Sequence, residues 1–122
     1  MVTIIIEKDR ENSRIAITAE GHAGAGDPGQ DPVCAGISAM MIGYAKTVIV
    51  FVEAGFVDES QTKINVGGRP GYGYIETVCL TENDFRILVC ALMPVELFFQ
   101  ELQENNPENV ELLYHPCGSD IK

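Results

Sequence analysis

Residues 21–38 have the sequence GHAGAGDPGQDPVCAGIS, which joins a histidine, a glycine-rich segment, a helix start and a cysteine. Asp31 followed by Pro32 is typical of a helix N-terminus, because Asp is a favoured N-cap and Pro suits the first helical position. This register places Cys34 in the first helical turn. There the unpaired N–H groups and the positive end of the helix dipole stabilise a thiolate, the nucleophilic form of cysteine. The placement makes Cys34 a candidate nucleophile.

A candidate base, His22, lies at the end of a predicted strand and at the start of segment 23–30. That segment could fold back and bring the imidazole to the thiol of Cys34. A neutral imidazole takes the thiol proton and returns it to a leaving amine. We expect the segment to be a mobile loop that closes on substrate. Its predicted mobility rests on three glycines, Gly24, Gly26 and Gly29.

Each of these three residues also has other interpretations. Asp31 could cap the helix, orient His22 as a third catalytic group or, as a negative charge, disfavour the thiolate unless the cap uses that charge. Free cysteines are most often buried small hydrophobic residues, so Cys34 alone could be a packing residue. His22 alone could satisfy a turn. The convergence of the cap, the loop and both reactive side chains favours the catalytic interpretation.

The same stretch resembles the signature of the ribosomal-processing cysteine protease family at residues 21–23, 29–31 and 33–39. Residue identities, their order and the His-to-Cys interval all agree with that signature. The resemblance implies that Cys34 is the nucleophile and His22 the general base. It also implies a supporting role for three further residues, Gly21, Asp31 and Ser38.

In function, the resemblance implies a cysteine endopeptidase that removes a short N-terminal extension from a bacterial large-subunit ribosomal protein. It also points to a homodimer. A second class of function stays open, namely a non-catalytic binding module that docks a basic ribosomal or other protein partner through residues 21–38. A burst of product and a covalent adduct at Cys34 would separate the two classes, because a module would show neither.

The hydrophobic pattern predicts the order ββαββαβ, hence an α/β fold of the α+β type. We expect a two-layer sandwich in which helices cover a mainly antiparallel sheet. Residues 1–115 are predicted to form a single domain and residues 116–122 a C-terminal tail. The predicted strands are 2–7, 14–20, 62–66, 72–80 and 109–114, and the predicted helices are 32–53 and a segment from a cap at Thr81 to the Asn-Asn-Pro at 105–107.

The two predicted helices differ in character. The first is apolar nearly all round, and we expect it to be buried against the sheet and a partner subunit rather than in a membrane. In the second, Pro94 should kink or restart the helix. Its acidic residues, Glu96, Glu101 and Glu104, are predicted to form a solvated face.

The composition of the chain limits the kinds of partner and the cellular compartment that we expect. The net charge of −10 argues against nucleic acid, whose phosphates require Lys and Arg, and is compatible with a basic peptide substrate. The four cysteines show no CxxC pair and no disulfide framework, and no signal peptide precedes the first strand-like run. We therefore expect a cytoplasmic protein without cofactor or metal, in which Cys79 and Cys90 are packing residues.

Overall fold

The computed structural model describes residues 1–27, 29–58, 63–69, 71–79 and 81–115, without the side chains of residues 63–65. The order of elements is the predicted one. The predicted tail at 116–122, which includes Cys117, lies outside the described residues. The elements are β1 (Val2–Asp9), β2 (Arg14–Gly21), α1 (Pro32–Glu53), β3 (Lys63–Arg69), β4 (Tyr72–Val78), α2 (Glu82–Asn105) and β5 (Val110–His115).

The five strands form one sheet in the order β3-β4-β2-β1-β5. All neighbouring strands pair antiparallel except β1 and β5, which are parallel. The parallel pair follows from connectivity, because α2 carries the chain back across the sheet before β5 begins. The predicted antiparallel character is confirmed, whereas the strand order could not be derived from the sequence.

Both helices pack on one face of the sheet, and the core lies between the two layers. Along β1, residues alternate between buried and half-buried, as expected when a single face is covered. The largest fully buried side chains come from both layers and include Ile4, Ile6, Ile15 and Ile17 from the sheet and Tyr44, Val48, Phe85, Leu88, Leu92 and Phe99 from the helices.

Helix α1 begins and ends where the sequence predicts. Asp31 caps its start, and Gly55 follows its end with φ +79°, a conformation typical of the residue that closes a helix. By length and composition α1 could cross a membrane. Its sheet-facing line is buried, while Ile42 and Ile49 on the outer surface are exposed. The buried line of α1 thus forms part of the core between the helices and the sheet.

Two predicted boundaries or environments are wrong, and one of the two alternatives predicted for Pro94 is excluded. The predicted strand 62–66 ends too early, because the backbone of Gly67 and Gly68 also pairs with β4 and β3 runs to Arg69. Helix α2 is continuous through Pro94, so it does not restart there. Cys90 is exposed rather than packed, whereas Cys79 is buried as expected. Burial, with a further contribution from the charge of Asp84, raises the pKa of Cys79 to about 11.

The prediction for Glu96 is also wrong. It is 9% exposed, and its carboxylate accepts from Lys8 Nζ at 2.9 and 3.1 Å and from the Tyr114 hydroxyl at 2.7 Å. Lys8 lies on the helix-facing side of β1, so α2 brings Glu96 directly onto it. Glu101 and Glu104 are exposed, as predicted.

Candidate active site

The N-terminus of α1 is organised by Asp31. Its Oδ1 accepts from the backbone N–H of Val33 at 2.9 Å and of Cys34 at 3.2 Å, and its Oδ2 accepts from Ala25 N–H at 2.9 Å. Burial raises the pKa of this carboxyl, but hydrogen bonds from the three backbone N–H groups and from the Cys34 side chain together outweigh burial and hold the pKa below its usual value. Both oxygens accept from backbone donors, so the carboxylate caps the helix and holds the loop at Ala25.

His22 follows β2 directly, and its position depends on two glycines. Gly21 has φ +105°, and a Cβ there would lie 2.3 Å from the carbonyl oxygen of Met1. Gly21 N–H also donates to the carbonyl of Gly71 at 2.8 Å. At Gly71, with φ +78°, a Cβ would lie 2.9 Å from His22 Nε2. Glycine is therefore required at both positions, at 21 because of the Met1 carbonyl and at 71 because of the imidazole.

Ala23 connects the histidine to the cysteine. Its N–H donates to Cys34 Sγ at 3.4 Å, and its carbonyl accepts from Asn109 Nδ2 at 2.8 Å. Its side chain is 2% exposed. The loop that was predicted to be mobile thus starts from an anchored residue, and its mobility stays a prediction.

Two cavities meet at His22 and Cys34. The first, here called the loop cavity, has a volume of about 540 Å³ and is lined by Asp31 and the glycine-rich loop. The second, the hairpin cavity, has a volume of about 260 Å³ and lies between α1 and the β3–β4 hairpin. Ser38, one helical turn after Cys34, is exposed and lines both. The fold therefore gathers every predicted site residue: Gly21, His22, Gly24, Gly26, Gly29, Asp31, Cys34 and Ser38.

Sequence reasoning missed the contribution of the β3–β4 hairpin and of the turn that precedes β5. Gly71 and Tyr72 line the hairpin cavity, and Asn109 holds the loop, yet none was singled out. The stretch 67–71 signals a turn, but only the pairing of β4 with β2 brings that turn to the histidine. Within the described residues, no group of three or more His, Cys, Asp or Glu residues could hold a metal ion.

A cysteine in the capped first turn of a helix, sharing two cavities with a histidine, is typical of thiol-dependent hydrolases, in which the imidazole activates the thiol. The comparison with known families agrees with this class. The sequence model of the family described as Cysteine protease Prp matches residues 1–111, so the chain belongs to that family of cysteine proteases.

Two curated relatives carry the description ribosomal processing cysteine protease Prp. The Staphylococcus aureus protein is 33% identical over 114 residues, which cover 93% of this chain and 99% of the relative. The Bacillus subtilis protein is 33% identical over 76 residues, which cover 62% of each chain. These likenesses confirm the family that residues 21–39 resemble.

Solved structures show the same fold. A crystal structure of Staphylococcus aureus Prp in complex with a covalently linked product peptide has a TM-score of 0.68 at 24% identity, covering 94% of this chain and all of the other. The same protein in complex with a substrate peptide gives a TM-score of 0.65 at 22% identity, with the same coverage. The chain thus shares its fold with these two Prp structures.

Proposed function

We propose that this chain is an endopeptidase that removes a short N-terminal extension from a bacterial large-subunit ribosomal protein. Cys34 is the nucleophile and His22 the general base. The observation that carries the proposal is that both side chains line the same two cavities at the start of a capped helix. The description of the relatives as ribosomal processing proteases supports the substrate class.

In the first step, His22 takes the proton of the Cys34 thiol, and the sulfur attacks the scissile carbonyl carbon. The C–N bond breaks, and the imidazolium returns its proton to the leaving amine, which becomes the new N-terminus of the ribosomal protein. The extension remains attached to Cys34 as a thioester.

In the second step, a water molecule attacks the thioester carbon while His22 accepts one of its protons. The C–S bond breaks, the proton returns to the Cys34 sulfur, and the extension leaves with a carboxyl terminus. Two open cavities on either side of the thiol give room for chain on both sides of the scissile bond.

The supporting residues hold this arrangement in place. Asp31 joins the helix start to the loop at Ala25, and Ser38 offers a hydroxyl to a peptide in either cavity. Gly24 and Gly29 have positive φ and open space around them, so the loop can close on a peptide. Hydrogen exchange should show slower exchange over 24–29 with peptide bound, and equal rates in both states would contradict closure.

A cytoplasmic homodimer completes the proposal. Ile42, Ile49 and Val50 are exposed apolar residues on α1, the kind of surface that a second copy can cover. Sedimentation at micromolar concentration should show a dimer, and exchange of Ile49 for Lys should weaken it. A monomer under these conditions would remove the dimer from the proposal.

The deciding experiment offers the precursor of the host's ribosomal protein to the wild-type chain and to Cys34→Ser. Mass spectrometry of the precursor should show loss of a short N-terminal peptide with wild type only. Binding of the precursor without shortening, and without an acyl adduct on Cys34, would replace the protease by the binding module. Cys90→Ala is the matched control, because this thiol is exposed and lines neither cavity.

A further inference from the structure

The first turn of α1 offers few free donors to a reacting carbonyl oxygen. The N–H groups of Val33 and Cys34 donate to the Asp31 carboxylate, and that of Ala35 donates to the Asp31 carbonyl at 3.0 Å. An oxyanion bound there would have to displace the cap. All three N–H groups are therefore already engaged in the helix start.

The donor that does face the sulfur is Ala23 N–H, at 3.4 Å from Cys34 Sγ. It belongs to the peptide group between His22 and Ala23. The carbonyl at the other end of that group accepts from the amino group of Met1 at 2.6 Å. This peptide group is therefore held at both ends with its N–H directed at the nucleophile.

The next peptide group is held by Asn109. Its Nδ2 donates to the Ala23 carbonyl at 2.8 Å, a contact between residues 86 positions apart. Asn109 is itself fixed, because its N–H donates to Asn106 and its carbonyl accepts from Val2 at 2.9 Å. The turn before β5 thus supplies an anchor for the backbone that follows the histidine.

We infer that Ala23 N–H stabilises the oxyanion formed at Cys34 and that Asn109 is a positioning residue which keeps this N–H in place. The inference rests on the proposed role of Cys34 as nucleophile. When sulfur attacks the carbonyl carbon, the C=O electron pair moves onto oxygen, one bond length from the carbon now joined to Sγ. A donor already directed at Sγ needs only a small shift to reach that oxygen.

The test uses the full chain and two isosteric variants, Asn109→Leu and Asn106→Leu. Both remove one side-chain N–H bond to a backbone carbonyl from the same turn, since Asn106 Nδ2 donates to Leu102 at 3.0 Å. Only Asn109 reaches the loop. The Asn106 variant therefore controls for stability lost in the α2–β5 turn.

The probe is the aldehyde N-acetyl-leucinal, labelled with ¹³C at the carbonyl. The Cys34 thiol adds to it, the S–H proton moves to oxygen, and the tetrahedral hemithioacetal resembles the intermediate of peptide cleavage. Because one oxyanion donor is worth about 100-fold or more, its misplacement in Asn109→Leu should weaken the adduct about tenfold. Asn106→Leu should stay within about twofold of wild type.

Alkylation of Cys34 by iodoacetamide separates a loss of the oxyanion donor from a general loss of structure, because only a general loss of structure would change its rate. It forms no oxyanion, so its rate should be nearly equal in all three proteins, with exposed Cys90 as an internal reference. With a cleavable peptide, kcat should fall while KM holds. Equal aldehyde affinity in the three proteins, or no adduct on a wild type that iodoacetamide alkylates, would overturn the inference.

These outcomes are independent of the ribosomal substrate. A chain that binds the aldehyde but leaves the precursor intact would refute the proposed substrate and retain the oxyanion assignment. If Asn109→Leu fails to fold, Asn109→Ser keeps a shorter donor at the same position, and its aldehyde affinity should lie between wild type and the tenfold loss. Wild-type affinity in a folded Asn109→Ser that has lost the contact to Ala23 would also overturn the assignment.

Discussion

Two buried carboxylates, Asp31 and Glu96, are stabilised in opposite ways. Asp31 is 8% exposed and is surrounded by backbone N–H groups within six residues of it. Glu96 is 9% exposed and is satisfied by side chains from β1 and β5, one of them 88 residues away. The first arrangement holds a reactive turn in place, whereas the second joins a helix to the sheet.

The electrostatics of the second site are consistent with a purely structural role. Burial, reinforced by the hydrogen bond to Glu96, raises the pKa of Tyr114 to about 12, so its hydroxyl stays protonated and donates. Lys8 Nζ also lies 5.7 Å from the centre of the Tyr114 ring. In the cluster formed by Lys8, Glu96 and Tyr114, the Glu96 carboxylate thus accepts from one cation and one hydroxyl donor. The comparison thus separates the end of the molecule that carries the proposed active site, here called the reactive end, from the end where Glu96 joins α2 to the sheet, here called the structural end.

The largest expected effect isolates the reactive end. Cys34→Ser should lower turnover at least about 1,000-fold, because a hydroxyl is a poor nucleophile without a stronger base, and should leave thermal unfolding nearly unchanged. Cys79→Ala should do the reverse and cost roughly 1 kcal/mol of stability, since Cys79 is buried. Exposed Cys90 should tolerate alanine. Turnover by the serine variant would exclude Cys34 as nucleophile.

The next effect isolates the structural end. Lys8→Met leaves Glu96 buried without its cation and should cost about 3–5 kcal/mol in urea unfolding, with turnover per folded molecule unchanged. Adding Glu96→Leu should restore part of the loss. Arg10→Met is the matched control, because its pair with Glu82 is exposed on both sides and is worth at most about 1 kcal/mol. Equal losses of stability in Lys8→Met and Arg10→Met would contradict the structural role of the buried Lys8–Glu96 pair.

A third variant tests whether the histidine depends on the hairpin. Gly71→Ala places a Cβ 2.9 Å from His22 Nε2 and should lower turnover about 100-fold by displacing the imidazole. Gly55→Ala is matched in backbone strain, with φ +79° and no neighbour within 4 Å. Each should lose about 1 kcal/mol of stability, and only the first should lose activity. Similar turnover in both would place His22 outside the mechanism.

The smallest effect concerns pH. The pKa of Asp31 is lower in the folded state than in the unfolded state, so its stabilisation is present above the unfolded value, about 3.9, and is lost as pH falls through the folded value. In Asp31→Asn the amide oxygen can still cap the helix, but the amide nitrogen cannot accept from Ala25. The gap in unfolding midpoint between the two proteins should therefore narrow below roughly pH 4. A gap that widens in acid would reverse the assigned sign.

Much of the reactive end was predictable because its interactions are local. The cap at Asp31, the position of Cys34 in the first turn and the end of α1 before Gly55 depend on neighbours within one or two turns. The order of elements followed from hydrophobic periodicity in the same way. The extension of β3 through its glycines was not predictable, because pairing with β4 outweighs the poor strand propensity of glycine.

The sequence by itself determined the place of Cys34 in the first turn of α1, the cap at Asp31, the position of His22 at the end of a strand and the alternation of strands and helices, since each is encoded by residues near one another in the chain. Only the tertiary structure decided that Gly71 supports the imidazole, that Asn109 anchors Ala23 and that Glu96 is buried on Lys8. These contacts depend on which strands are neighbours in the sheet. Strand order arises from the packing of the whole chain, which no local pattern specifies.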